Sequence, residues 1–209
     1  MAKEGIVLPD IAFASRNATH FVRSKRSGRM DASIWVFGYG SLMWNPGFPY
    51  LRAVQARMHG VRRALCIRST HYRGTPDSPG LVFGLDRGGS CHGVAFEVAE
   101  ANREAGIAEL RAREQISMVY HEVVRPARLL SGETVGALVY VANQAHEQYA
   151  GGLDLEETLA IIRRSAGAMG PNVDYVTATL KRLQDMGIRD QALERVVAAL
   201  AASDLIPPD

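Results

Sequence analysis

The pattern of apolar and polar residues predicts mainly β-structure over the hundred or so residues that follow residue 33. Strands are predicted at residues 34–38, at 55–66 as one or two strands with a bend at Gly60, at 80–85 and at 92–98. The last two segments flank the sequence Asp-Arg-Gly-Gly-Ser at 86–90. Because glycine tolerates positive φ, this glycine pair predicts a hairpin turn between them.

The remaining residues predict one more hairpin and four helices. Residues 121–130 and 134–141 alternate between apolar and polar positions across a Ser-Gly-Glu turn, which predicts a half-buried hairpin. Residues 100–116 have helical spacing, and the chain becomes helical again after residue 153. The three C-terminal helices are predicted to begin at Asp154 (a capping box with Glu157), Asn172 and Asp190, and to end near Arg164, Gly187 and Ala202.

This order of elements indicates an α+β protein with a single core. Residues 1–33 are weakly periodic and predict an N-terminal arm, whereas 34–205 predict one domain. With 209 residues, the chain is long enough for one substantial core and short for two. No heptad pattern indicates an oligomeric state.

The composition limits the expected cellular compartment and the expected kinds of binding partner. The net charge of +2 gives no support to nucleic acid as the main partner, and the basic cluster at 23–29 reads as part of a solvated arm. No apolar run reaches the roughly 18 residues needed to span a bilayer, so we expect no membrane insertion. The two cysteines, Cys66 and Cys91, are too few for a disulfide framework and read as small core residues. We therefore expect a cytoplasmic protein.

A pair of glycines follows the first predicted strand, with Gly38 and Gly40 on either side of Tyr39. Glycine lacks Cβ, so the backbone can bend sharply here and a ligand can approach it closely. Successive peptide N–H groups in such a loop can form a concave nest for a carboxylate or a developing oxyanion. The spacing alone fits a tight turn between core aromatic residues equally well.

Four ordered motifs resemble those of the ChaC-type, glutathione-specific γ-glutamylcyclotransferases. The first, similar to the family's substrate-binding signature, consists of Phe37, Gly38, Tyr39, Gly40, Ser41 and Leu42. The sequence at 71–80 resembles the family's arginine-bearing segment, and 85–96 resembles its central hairpin. Arg113 and Glu114, with Tyr120 six residues after the glutamate, resemble its catalytic element. The resemblance covers roughly residues 33–200.

The resemblance implies a fold and a reaction. The fold is a small mixed β-barrel, closed or nearly closed, with helices packed around it. In the reaction, the α-amine of glutathione attacks its own γ-carbonyl, which releases 5-oxoproline and cysteinylglycine. Neither cofactor nor metal is expected, and the six histidines are dispersed without a His-Glu-x-x-His motif. The expected partner is the small-molecule substrate.

The resemblance also implies roles for individual residues. Glu114 accepts the proton of the attacking amine and returns it to the leaving amine. The amides of the 39–42 loop stabilise the oxyanion or hold the α-carboxylate, and Arg73 clamps a carboxylate. Tyr120 orients Glu114 or the substrate. Without the resemblance, Glu114 reads as a surface residue paired with a neighbouring arginine, Arg73 as an exposed loop residue and Tyr120 as a core aromatic.

One position departs from the family pattern, and two alternative functions remain. Val119 stands where many family members have glycine, which we expect to stiffen the bend before Tyr120. The first alternative is a broader cyclotransferase for γ-glutamyl-amino acids or γ-glutamylamines. The second is a non-catalytic protein that binds γ-glutamyl compounds or regulates a partner. A pure binder needs no proton shuttle, so Glu114 favours an enzyme.

Overall fold

The computed structural model describes residues 33–203. The predicted N-terminal arm therefore lies outside the described residues, apart from its last residue. The division of the chain into an arm and a single 34–205 domain stays a prediction. None of the described helices is both long enough and apolar enough to cross a bilayer.

The described part of the chain contains seven strands and four α-helices. The strands are β1 (Ile34–Gly38), β2 (Arg52–Ser69), β3 (Gly80–Val98), β4 (Tyr120–Leu129), β5 (Thr134–Ala142), β6 (Ala166–Gly167) and β7 (Gly170–Pro171). The helices are α1 (Arg103–Glu114), α2 (Leu155–Arg164), α3 (Asn172–Asp185) and α4 (Gln191–Ser203). Short 3₁₀ turns at Ser41–Met43 and Glu100–Asn102 follow β1 and precede α1.

Five of the strands form a closed barrel in the order β1-β3-β2-β4-β5. Strand β1 pairs antiparallel with β3 and parallel with β5, through Trp35 opposite Ala137 and Val36 opposite Leu138. The parallel pair closes the barrel and removes the exposed edges that an open sheet would leave. Val36 and Ala137 lie on opposite faces of the sheet and both are almost fully buried, so apolar packing covers the inner and the outer face of the barrel wall here. The expectation of an α+β barrel is confirmed.

The predicted hairpin turn at 86–90 is wrong. Strand β3 runs through this segment without a turn and stays paired with β2, with Arg62 opposite Asp86 and His59 opposite Ser90. Gly60, Gly88 and Gly89 have φ values of +78°, +87° and +69°, and the pairing register shifts at this level, between His59 and Val61. The glycines therefore form a bulge that bends two long strands together. The actual β2–β3 turn lies at 70–79.

The helix boundaries follow local capping rules with one exception. Asp154 accepts a hydrogen bond from the Glu157 amide (2.8 Å), and Asp190 accepts one from the Leu193 amide (3.1 Å), so both predicted N-caps are confirmed. The helix predicted at 100–116 is a 3₁₀ turn followed by α1, which ends at Glu114. The prediction of Asn172 as an N-cap is wrong, because Pro171 holds that position.

Asn172 instead connects α3 to the barrel. Its side chain is fully buried and accepts a hydrogen bond from the Leu81 amide (2.6 Å). It also donates to the Leu81 carbonyl oxygen (2.8 Å). A single side chain thereby satisfies both backbone groups of one β3 residue, which places the first turn of α3 against the strand.

Candidate active site

The glycine loop continues directly from the core strand β1. Phe37 is fully buried, and Leu42 is only 5% exposed, so both side chains hold the loop on the barrel rather than face solvent. At Gly38, an added Cβ would stand 3.0 Å from Leu42 Cβ and 3.2 Å from the Met43 nitrogen, so the close turn requires glycine there. At Gly40, an added Cβ would meet nothing within 4 Å. Open space therefore adjoins the backbone at Gly40.

The 3₁₀ turn leaves amide groups outside its own hydrogen bonds. Its first bond runs from the Met43 amide to the Gly40 carbonyl oxygen (2.9 Å). The amides of Ser41 and Leu42 precede this position, as the first amides of any helical turn do. Such amides beside open backbone can bind an anionic oxygen.

Arg113 connects this loop to the end of α1. Its Nη2 donates to the Ser41 hydroxyl oxygen (2.7 Å), and its Nη1 donates to the Asn45 carbonyl oxygen (2.7 Å). Its Nε lies 3.4 Å from a carboxylate oxygen of Glu114. One guanidinium therefore fixes the position of the loop relative to the carboxylate.

Glu114 is the last residue of α1, and its side chain is 17% exposed. Burial raises the pKa of Glu114, and the neighbouring Arg113 charge partly opposes this shift. The C-terminal end of a helix also disfavours negative charge. Within residues 33–203, no hydrogen bond occupies its carboxylate, which stays available to exchange a proton. The reading of Glu114 as an ordinary surface residue does not fit this burial.

The charge of Glu114 acts on a group of tyrosines that includes Tyr39, Tyr120 and Tyr175. Burial raises the pKa of Tyr39 and of Tyr120 well above the usual range, and the Glu114 charge raises both further. Burial likewise raises the pKa of Tyr175 to about 12, with a smaller contribution from Glu114. The three hydroxyls consequently stay neutral at physiological pH. Val119, before Tyr120, is buried against Cys66 and Ile67.

Arg73 lies in the β2–β3 turn and contacts the tyrosine cluster from the side. Its Nη1 donates to the Met169 carbonyl oxygen (2.6 Å) and to that of Pro171 (3.3 Å). Its guanidinium carbon lies 5.3 Å from the centre of the Tyr175 ring. These contacts hold the turn against the β6–β7 hairpin, so the described structure shows Arg73 bonded to backbone oxygens.

Two residues of this region, Tyr175 and Arg63, belong to none of the four sequence motifs. Tyr175 comes from α3 and enters the cluster only through the packing of that helix on β3, so no local signal marks it. Arg63 is 6% exposed and donates from Nε to the Tyr39 carbonyl oxygen (2.6 Å). Strand alternation places Arg63 on the same face as buried Val61, which is the one sequence signal that could have identified it.

Other parts of the described chain contain fewer groups that could act in catalysis. A groove of about 280 Å³ between β2, α2 and α4 is lined by two ion pairs, Arg62–Asp86 and Arg63–Asp190, among mainly apolar residues. Its charged groups already neutralise one another. Within residues 33–203, no three His, Cys, Asp or Glu side chains lie close enough to hold a metal ion. The candidate chemistry therefore lies at Glu114 and the 39–42 loop.

The fold and the site together define a barrel protein in which a mostly buried carboxylate, Glu114, is joined through Arg113 to a glycine loop. Residues 34–203 match the family model described as "ChaC-like protein", and the chain belongs to this family. A glutathione-specific gamma-glutamylcyclotransferase of Escherichia coli (strain K12) is 31% identical over 170 residues, which are 81% of this chain and 74% of that protein. The Danio rerio glutathione-specific gamma-glutamylcyclotransferase 1 is 33% identical over 178 residues, 82% of this chain and 91% of that protein.

A solved structure shares the fold. The crystal structure of a yeast gamma-glutamylcyclotransferase specific to glutathione has a TM-score of 0.72 with this chain, at 23% sequence identity. The match covers 81% of this chain and 96% of the yeast chain. The predicted family resemblance and the predicted barrel fold are both confirmed.

Proposed function

We propose that this protein is a glutathione-specific γ-glutamylcyclotransferase, a lyase that converts glutathione into 5-oxoproline and cysteinylglycine. The observation that carries the proposal is the buried Glu114 carboxylate, joined through Arg113 to the loop at Ser41. The activity named for its relatives supports the same assignment. Its two cysteines are free and buried, which suits the reducing cytoplasm, where we place the reaction.

The reaction needs one proton acceptor and no water. The substrate's α-ammonium group gives a proton to Glu114, and the freed amine attacks the γ-carbonyl carbon. A carbon–nitrogen bond forms to close the five-membered lactam, and the original peptide carbon–nitrogen bond breaks. Glu114 then returns its proton to the leaving nitrogen. The second proton, which the ring nitrogen loses, completes the ammonium group of cysteinylglycine, so the lactam nitrogen keeps one hydrogen. A carboxylate whose pKa is raised by burial suits both transfers, because it exchanges its proton more readily near neutral pH.

The glycine loop supplies electrostatic stabilisation in this proposal. The γ-carbonyl oxygen becomes negatively charged as the tetrahedral intermediate forms. The Ser41 and Leu42 amides, which lie outside the hydrogen bonds of the 3₁₀ turn and next to the open space at Gly40, can donate to that oxygen, and one such donor contributes about 3 kcal/mol. The same loop can hold the α-carboxylate, and together with Arg73 and Tyr120 it would fold the amine back toward the carbonyl.

The test is an assay of products with two substrates. Purified protein is incubated with reduced glutathione and, in parallel, with γ-glutamylalanine, and 5-oxoproline and the released amine are measured. Equal amounts of 5-oxoproline and cysteinylglycine from glutathione, with little turnover of γ-glutamylalanine, are expected. Turnover of γ-glutamylalanine at a similar rate would indicate a broader cyclotransferase. Release of glutamate in place of 5-oxoproline would contradict the intramolecular reaction.

A further inference from the structure

Two tyrosines bind the backbone of the same β3 residue, Phe83. The Tyr120 hydroxyl donates to the Phe83 carbonyl oxygen (2.9 Å), and the Phe83 amide donates to the Tyr175 hydroxyl oxygen (3.2 Å). The amide and the carbonyl of one strand residue point to the same side of the strand. The two hydroxyl groups therefore lie side by side, although one comes from β4 and the other from α3.

The chemistry of these two bonds fixes what each hydroxyl can still do. Tyr120 has used its proton on the Phe83 carbonyl, so its oxygen can only accept a further hydrogen bond. Tyr175 has used an oxygen lone pair on the Phe83 amide, so its proton is still available to donate. Within residues 33–203, no group accepts that proton. The backbone of one residue, Phe83, thus places a hydrogen-bond acceptor beside a donor.

The charge of Glu114 reaches both hydroxyl groups. Burial raises the pKa of each hydroxyl and the Glu114 charge raises it further, so both stay protonated near neutral pH and each keeps its donor or acceptor role. The Tyr175 ring is fixed between Arg73, 5.3 Å from its centre, and the Phe83 ring, 5.4 Å away. A rigid ring costs little conformational entropy when its hydroxyl binds a ligand.

We propose that Tyr120 and Tyr175 divide the polar recognition of the γ-glutamyl group, with Tyr120 accepting from the α-amino group and Tyr175 donating to a substrate oxygen. An α-ammonium group can only donate hydrogen bonds, whereas carbonyl and carboxylate oxygens can only accept them. The acceptor beside Glu114 therefore holds the amine where it loses its proton. This inference rests on the proposed function and adds Tyr175 to the substrate-binding residues.

The experiment measures binding of two ligands that differ in one group. Glutathione carries the α-amino group, and glutaryl-cysteinylglycine lacks it. Dissociation constants are measured in the Glu114→Gln background, where glutathione is not consumed, with and without Tyr120→Phe or Tyr175→Phe. Inhibition by glutaryl-cysteinylglycine in the protein with Glu114 intact provides a second measurement. Tyr149→Phe is the matched control, because it removes a hydroxyl that donates to Asp86 (3.0 Å) instead.

Tyr120→Phe is expected to weaken glutathione binding about tenfold and to leave glutaryl-cysteinylglycine unaffected. Tyr175→Phe is expected to weaken both ligands to the same extent, by roughly fivefold. A merely structural role for Tyr120 would weaken both ligands alike, and this result would overturn the proposal. Unchanged binding of both ligands to Tyr175→Phe would overturn it as well. If the protein with Glu114 intact forms no 5-oxoproline, the proposed function itself fails.

Discussion

At the scale of single residues, the account depends on how Arg113 and Glu114 share one end of α1. Burial favours the neutral acid at Glu114, and the adjacent guanidinium favours the carboxylate. A proton shuttle needs both influences, since it must accept a proton from the α-ammonium group and release it later. Arg113 also binds Ser41 and Asn45, so the group that tunes the carboxylate also positions the loop.

Replacing Arg113 by glutamine should move the acid limb of the pH–activity profile. Glu114 must be a carboxylate to accept the proton, so kcat/KM falls as the pH drops through its raised pKa. Without Arg113 the pKa of Glu114 rises further, and the limb moves to higher pH. The measurement is the pH dependence of kcat/KM for glutathione, with Arg111→Gln as control, because Arg111 pairs with Glu122 instead. An unmoved limb in Arg113→Gln would contradict this coupling.

At the scale of elements, the two glycines at the end of β1 have different structural roles. Gly38 allows the chain to pack against Leu42 and Met43, whereas the space at Gly40 is open. The sequence motif alone does not distinguish the role of Gly38 from that of Gly40. Their separate roles follow from the 3₁₀ turn, which folds back over one of them and leaves the other uncovered.

Alanine substitutions at the two glycines should therefore have different effects. Gly40→Ala should change the free energy of unfolding by less than about 1 kcal/mol but raise the KM for glutathione roughly tenfold, because its methyl group occupies the space beside the backbone. Gly38→Ala should lower the free energy of unfolding by about 1–3 kcal/mol through overpacking. Urea denaturation and steady-state kinetics measure the two effects. A wild-type KM in a folded Gly40→Ala variant would remove Gly40 from the substrate site.

Most elements could be predicted from local sequence, and the errors have a common cause. Strand β1, the β4–β5 hairpin and the caps at Asp154 and Asp190 depend on nearby residues, so pattern and capping rules found them. The assignment of the Gly88–Gly89 pair to a turn is wrong because its bulge is defined by a register shift against β2, at Gly60, on a distant part of the chain. Asn172 was wrongly assigned to a cap for the same reason, since its partner is Leu81 on β3.

At the scale of the whole molecule, Arg63 joins the barrel, the glycine loop and α4. Besides its bond to the Tyr39 carbonyl, it donates to the His92 carbonyl oxygen (2.7 Å) and to the Asp190 carboxylate (2.6 Å). Asp190 in turn caps α4. Sequence periodicity could not have shown three features: the closure of the barrel, the hydrogen bonds of Arg63 and the position of Tyr175 beside β3. Each depends on contacts between distant segments of the chain.

Removing the carboxylate at Asp190 should destabilise the whole fold. Asp190→Ala leaves the charge of Arg63, whose side chain alone is 2% exposed, without its counter-charge and removes the cap of α4. We expect the free energy of unfolding to fall by about 3 kcal/mol in urea denaturation. Asp174→Ala, at an exposed position in the first turn of α3, is the control and should cost much less. Equal stability of the two variants would show that the Arg63–Asp190 pair is not a structural link.

The most direct test of the account separates substrate binding from turnover at Glu114. Glu114→Gln keeps the shape of the side chain but removes its ability to accept a proton. We predict that this variant binds glutathione with a dissociation constant within about threefold of the KM of the unmodified protein and forms 5-oxoproline at least about a thousandfold more slowly. Turnover at an unchanged rate would contradict the central claim that the buried Glu114 carboxylate transfers the proton.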